Sequence, residues 1–204
     1  MPEFIYAHWL VITCLLAGVS SLVLGWVYLP SLWGAPWFPS SLGTVKEMLR
    51  LAQIQPGQKV VDLGAGDGRI VILAARQYHA HAVGVEIDPV RCFIGNTWIR
   101  LLGLSGRARI HRGDLFNFDL RDADVVTLYL LKGTNAALKD RLLQQLRPGA
   151  RIVSNAFIMP DWEPAAQDAR GEVFLYQVGQ PHRNGENGAH ARQAAQPATS
   201  RADN

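Results

Sequence analysis

Charge is missing from the first quarter of this chain: between Glu3 and Lys46 stands no Lys, Arg, Asp or Glu. Cysteine is scarce too, with Cys14 and Cys92 far apart and no CxxC pair. That excludes a disulfide framework and a dithiol redox centre, and fits a reducing compartment. The six histidines are scattered, and the one close pair, His79 and His81, lacks the Cys or carboxylate companions of a metal site, so no metal is expected. The net charge is only +3, and no basic run carries interleaved aromatics, which argues against a nucleic-acid partner. Internal repeats are absent. So is any large apolar residue after Gln180, and residues 181–204 are therefore expected to be a disordered tail.

What fills the charge-free stretch is a hydrophobic run. Tyr6 to Tyr28 reads YAHWLVITCLLAGVSSLVLGWVY, about 23 residues that would span about 34 Å as a helix, enough for a bilayer's hydrocarbon core. Tyr6 and Trp9 mark one end and Trp26 and Tyr28 the other, where interfacial aromatics belong. A cleavable signal would need a basic start, which Met1 to Tyr6 lacks; a buried soluble helix is the other rival. The expectation is one transmembrane helix within residues 1–30. Lys46 and Arg50 follow it and favour a cytoplasmic main domain, at a bacterial inner membrane. Residues 31–43 form a linker rich in proline and aromatics.

From residue 44 to 180 helix and strand patterns alternate, the mark of an α/β domain with helices on both faces of a parallel sheet. Strands are expected at 59–63, 81–86, 108–111, 124–131, 151–157 and 172–178. Thr44 with Glu47 suggests a capping box, Asp88-Pro89 a helix start, and Thr134 another cap. Only one strand is visible after the fifth, which leaves the sheet edge incomplete.

The chemistry concentrates in Val60-Val61-Asp62-Leu63-Gly64-Ala65-Gly66-Asp67-Gly68-Arg69. A strand runs through glycines into a helix, at the edge where open α/β sheets bind nucleotides. The glycines are spaced G-x-G-x-G, not the G-x-G-x-x-G of dinucleotide folds. Asp62 and Asp67 repel phosphate and suit a cationic ligand with an amino group. Glu86, closing the second strand, is placed to accept both hydroxyls of a ribose. Asp114, after the third, either accepts from an adenine amino group with Leu115 beside the ring or caps a turn.

On these residues the chain resembles the class I S-adenosylmethionine-dependent methyltransferases, with their Rossmann-like sheet, over residues 44–178. The resemblance implies S-adenosylmethionine as cofactor, with Asp62, Gly64, Ala65, Gly66 and Gly68 around its methionine part, Glu86 and Ile87 at the ribose, and Asp114 and Leu115 at the adenine. More narrowly, four features are similar to the membrane-anchored protein-lysine methyltransferases of mitochondria and their prokaryotic relatives. These are the hydrophobic N-terminus, Gly34-Ala35-Pro36-Trp37-Phe38-Pro39, VDLGAGDGRIVI at 61–72, and GARIVSNAF with Asp161-Trp162. That family modifies lysines of the adenine-nucleotide translocase and of the ATP synthase c-subunit. No transit peptide is visible here, so a bacterial relative fits better.

Methyl transfer from a sulfonium is an in-line displacement that needs alignment and exclusion of water rather than a covalent nucleophile. Residues after the fourth and fifth strands should line the acceptor pocket: Tyr129 and Asn155 as catalytic candidates, Phe157 and Trp162 as substrate contacts. Thr127-Leu128-Tyr129-Leu130 stands where methyltransferases of nucleic-acid amino groups carry Asn/Asp-Pro-Pro-aromatic. The leading expectation is a protein-lysine methyltransferase acting on a protein substrate at the membrane. The alternatives are a lipid, quinone or other small-molecule acceptor, and a non-catalytic binding module.

Overall fold

Alternation in β1 (Lys59–Leu63) sends Val60 to one side of a sheet and Val61 to the other, and both are buried. A strand covered on both faces must be central, and β1 is. The computed structural model describes residues 2–28 and 39–179; within the first helix, side chains are described for 8–22 and 24–25. The linker residues 29–38 and the tail from 180 lie outside the described residues.

After α1 (Pro2–Tyr28) and α2 (Leu42–Leu51), the chain runs β1, α3 (Arg69–Gln77), β2 (His81–Glu86), α4 (Pro89–Leu101), β3 (Ala108–Arg112), β4 (Val125–Leu128), α5 (Lys132–Gln145), β5 (Arg151–Asn155), β6 (Ala166–Gln167) and β7 (Val173–Gln177). The sheet order is β3-β2-β1-β4-β5-β7-β6. The first five strands are parallel, β7 runs antiparallel to β5, and β6 antiparallel to β7. Strand order reverses between β1 and β4, so a crevice opens there at the carboxyl edge. One core packs α2, α3 and α4 on one face through Met48, Ile70, Val71 and Ile99. The other packs α5 on the opposite face through Leu138 and Leu142.

The Rossmann-like sheet with flanking helices is as the alternation led us to expect. Three local expectations change. The edge is closed by a hairpin, because β6 is only two residues long and too short to show alternation. The cap of α2 is Ser41, whose hydroxyl accepts from the Thr44 amide at 3.1 Å, while Glu47 turns forward to Arg50. Helix α5 starts after Leu131 with no side-chain cap, leaving Thr134 inside its first turn. Asp88, by contrast, caps α4 by accepting from the Val90 and Arg91 amides, with Pro89 first in the helix.

Among the described residues no helix is long and apolar enough to cross a membrane. In α1 the side chains are described without interruption only over 8–22, fewer than the roughly 20 residues a span needs. Every one of those side chains is exposed, Trp9, Leu10, Leu15 and Leu16 among them.

Helix α4 sits unusually close to the sheet because position 95 has no side chain. A Cβ there would lie 2.3 Å from Ile110 Cδ1 and 2.9 Å from the Asp67 carbonyl oxygen, which is backbone and cannot swing away. Gly95→Ala should therefore lower the unfolding free energy by about 1–3 kcal/mol, as overpacking does. Gly133→Ala, with nothing within 4 Å of the new methyl, should be neutral or slightly stabilising. Urea unfolding of both variants checks this, and equal midpoints would contradict it.

Candidate cofactor and acceptor site

The loop from β1 to α3 turns on Gly64, Gly66 and Gly68, with φ of +84°, +56° and +82°, angles that side chains other than glycine adopt at a cost. Space is as tight as the backbone: a Cβ on Gly64 would stand 2.9 Å from Leu130 and one on Gly68 2.6 Å from Ile110. The amides of Gly64 and Ala65 both donate to the Val85 carbonyl at 2.9 Å, which folds the loop back over the end of β2.

Two carboxylates are sunk beneath this loop. Glu86, 6% exposed, accepts from the Gly66 amide at 2.8 Å with one oxygen and from the Asp88 amide at 3.0 Å with the other. Arg91, itself buried on α4, approaches Glu86 at 3.9 Å and Asp88 at 3.6 Å. Asp62, 3% exposed, accepts a 2.7 Å bond from the Thr127 hydroxyl on β4. Burial pushes the Asp62 pKa up to about 7; the Thr127 bond offsets part of this, and the negative charges of Glu86 and Asp67 add to it. Asp67 differs. Desolvation works against its charge, but the Arg69 guanidinium, gripping both oxygens at 3.0 and 2.6 Å, outweighs it and keeps the carboxyl acidic. Arg69 also donates to the Ser40 carbonyl, so the segment leading into α2 is tied to the glycine loop.

Cys92 is no nucleophile. Burial first, then Glu86 and Asp88, push its thiol up to about 11, and its sulfur donates to the Glu86 carbonyl. Among the described residues no group of three His, Cys, Asp or Glu is placed to hold a metal.

The parallel register brings the other candidates to the same edge. Ile87 follows Glu86 and is exposed. The Gly113 amide donates to the Glu86 carbonyl at 2.9 Å, which sets Asp114 and Leu115 beside the end of β2. The exposed Asp114 side chain accepts from the Phe116 amide and the Asn117 side chain, both at 2.9 Å, so it does cap a turn. Tyr129, half-buried, lies two residues beyond the Thr127 that holds Asp62. Past β5 the chain makes a strained corner, with Ala156 at φ +64°. Asn155 is buried just before it and Phe157 half-buried just after it. Trp162 alone falls elsewhere: it is packed in the α5-side core, tilted against Tyr176 at 5.3 Å between ring centres.

Several supporting residues carry no local motif. The corner after β5 is pinned by Asn135 of α5, fully buried, whose amide donates to Ser154 Oγ at 3.1 Å and to the Phe157 carbonyl at 3.2 Å. Ser154 donates to that same carbonyl at 2.5 Å. Thr127 and Gly95 act in the same indirect way. Each is defined by a partner far along the chain, so neither spacing nor hydropathy marks it.

Comparisons with known proteins agree on a methyltransferase. The family described as the ANTKMT methyltransferase domain matches residues 62–166. A protein-lysine N-methyltransferase of Saccharolobus islandicus is 38% identical over 71% of this chain and 94% of its own length. The adenine nucleotide translocase lysine N-methyltransferase of Mus musculus is 36% identical over 70% of this chain, which spans 63% of the mouse protein. Among solved structures, one described as an RNA methyltransferase of Salinibacter ruber, in complex with S-adenosyl-L-homocysteine, is 37% identical with a TM-score of 0.69. The match covers 72% of this chain and 98% of that one.

The Asp62 carboxyl sets a stability trend. Its pKa in the fold, about 7, is above the ordinary 3.8, so the folded chain holds a proton there that the unfolded chain has released. Between about pH 4 and 7 this group's contribution to stability therefore falls as pH rises. Asp62→Asn should gain on the wild type as pH goes from 5 to 8. A difference between the two unfolding free energies that stays constant with pH would contradict this.

Proposed function

Since the chain belongs to the ANTKMT methyltransferase domain family, shown by the match over residues 62–166 and by its archaeal relative, we propose that it methylates lysine on a protein substrate, using S-adenosylmethionine, and is held at a membrane by α1. The single observation that carries the chemistry is a pair of buried acids, Asp62 and Glu86, under a glycine loop at the strand-order switch.

These residues fit the cofactor. Asp62 is buried, with a pKa raised by desolvation, and Thr127 supplies its hydrogen bond; an ammonium group would give it the positive partner that burial makes valuable. The positive-φ glycines leave backbone open for close approach, and at Gly64 a Cβ would also collide with Leu130 at 2.9 Å. Asp62 with Gly64, Ala65, Gly66 and Gly68 would surround the methionine part. Glu86 and Ile87 would take the ribose, and Asp114 with Leu115 the adenine. When bound, the cofactor supplies an electrophilic methyl group.

The protein's own contribution is alignment. A lysine nitrogen must arrive neutral, its proton lost to solvent, and a mouth of low polarity lowers its pKa to help that loss. Tyr129, Asn155 and Phe157 stand at the carboxyl ends of β4 and β5 and would guide it in-line. Trp162, buried in the core, would hold the loop beneath them. The chain from Tyr6 to Tyr28 carries no charge, and the described side chains of α1 are exposed; both support a membrane anchor for residues 1–30, with the domain of residues 44–180 on the cytoplasmic side.

Two outcomes are expected. Below pH 7 Asp62 takes up a proton and loses its charge, so cofactor affinity should fall by up to about tenfold per pH unit. Asp62→Asn and Glu86→Ala should each bind at least about tenfold more weakly at pH 8, and the Asp62 variant should lose the pH dependence. Calorimetry checks both, and wild-type affinity in either variant would overturn the site. For the acceptor, the protein is incubated with methyl-labelled S-adenosylmethionine and membranes from cells lacking it. Label is expected in a protein band, as methyl-lysine after hydrolysis; label in the lipid extract or in RNA instead would overturn the lysine reading.

A further inference from the structure

Helix α4 is apolar on two sides. Cys92, Gly95 and Ile99 face the sheet and are buried. Val90, Phe93, Ile94, Trp98 and Leu101 face outward, with Phe93 68%, Trp98 52% and Leu101 72% exposed. At 3.6 residues per turn these five positions fall within one arc of about 140°, which they share only with Thr97, whose hydroxyl is turned back to the Phe93 carbonyl. A helix apolar all round is normally covered all round, and a stripe of this kind on a domain surface marks a contact with something else.

The surroundings say what that partner is. Between Asp88 and Asp114 stand five arginines, at 91, 100, 107, 109 and 112, and no acid. Asn96 of α4 donates to the Ile110 carbonyl and accepts from the Ile110 amide, so this flank of the helix meets the open edge of β3. Arg100, one turn further on, and Arg112, at the end of the same strand, are exposed along that flank. An aliphatic and aromatic stripe flanked by the exposed Arg100 and Arg112, with no carboxylate within α4 or β3, is complementary to acyl chains beneath anionic headgroups. Nucleic acid fits less well, because Val90, Ile94 and Leu101 offer neither stacking nor charge.

Continuity with the N-terminus points the same way. Asp67 lies directly under Gly95 of α4, and Arg69 joins Asp67 to the Ser40 carbonyl, where the chain arrives from α1. The inner face of α4 and the segment at Ser40 are thus tied to one loop at the mouth of the site, and the apolar stripe lies on the other side of that same helix.

We propose that the outward face of α4 (Val90, Phe93, Ile94, Trp98 and Leu101) lies in the interface of an anionic membrane, with Arg100 and Arg112 at its headgroups. This is a second contact, separate from the anchor assigned to α1, and it would turn the cofactor site toward substrates at the bilayer surface.

The test uses the full chain in a Cys14→Ser, Cys92→Ser background. An environment-sensitive fluorophore is placed on Trp98→Cys or, as control, on Asp140→Cys, exposed on α5 across the sheet. The vesicles are phosphatidylcholine with about one-third phosphatidylglycerol, carrying a spin-labelled lipid as quencher. Cofactor affinity confirms that each labelled chain is folded. The probe at 98 should shift to the blue and be quenched by lipid at least about threefold more than the probe at 140, and less so without phosphatidylglycerol. Three results would overturn the proposal. The chain binds the vesicles while the probe at 98 stays in water, in which case the anchor stands and the α4 contact falls. The probe at 98 is shielded by a second copy of the chain or by RNA but is beyond reach of the lipid quencher. The chain does not bind vesicles at all, and then the anchor falls with it.

Discussion

Glu86 is the residue on which the geometry of the site hangs. One of its oxygens fixes the glycine loop through the Gly66 amide, and the other receives the Asp88 amide at the start of α4. Its backbone carbonyl holds Gly113 and the Cys92 thiol. The end of β2, the loop after β1, the start of α4 and the turn after β3 are therefore joined through one residue that is 6% exposed. A buried carboxylate tolerates that position because backbone amides and the nearby Arg91 satisfy it. Asp62, a strand away, holds one hydroxyl and keeps a raised pKa. Glu86 is a structural joint, whereas Asp62 is a buried acid whose best partner is a cation. Function at Asp62 is held against stability, as is common where a site must keep a buried charge.

The expected parts that the structure reproduces are those written locally. Strand, glycines and helix lie within ten consecutive residues, Val60 to Arg69, and their geometry follows from backbone rules alone. Asp88-Pro89 is a start signal complete in two residues, and it caps α4 as expected. The hidden parts depend on partners remote in sequence. Thr127 meets Asp62 across 65 positions, and Asn135 reaches Ser154 and Phe157 across 19 and 22. Nothing in the TLYL run shows that its threonine holds an acid. The strand β6 escaped notice because two residues cannot display a period. Its place after the fifth strand makes Trp162 an expected substrate contact; its burial against Tyr176 follows from the hairpin that the sequence pattern did not reveal.

The apolar surfaces follow a similar division. The hydrophobicity of α1 is plain from composition, because an uncharged run of that length is rare in a globular domain. That of α4 is masked, since PVRCFIGNTWIRL reads as an ordinary helix until the fold assigns Cys92, Gly95 and Ile99 inward and leaves Phe93, Trp98 and Leu101 outside. The outward face of α4 belongs to the helix whose inner side rests on the cofactor loop at Asp67. A methyltransferase arranged in this way would meet its substrate at a bilayer surface rather than in bulk solvent, and the strained corner at Ala156, pinned by Asn135, would present the acceptor pocket there.

The most direct test of the account is a crystal structure of the chain with S-adenosylhomocysteine, read for two distances. The account predicts the ribose hydroxyls within hydrogen-bond reach of Glu86 and the α-amino group within reach of Asp62. A ligand bound elsewhere on the domain, or bound in the loop with both carboxylates out of contact, would contradict it.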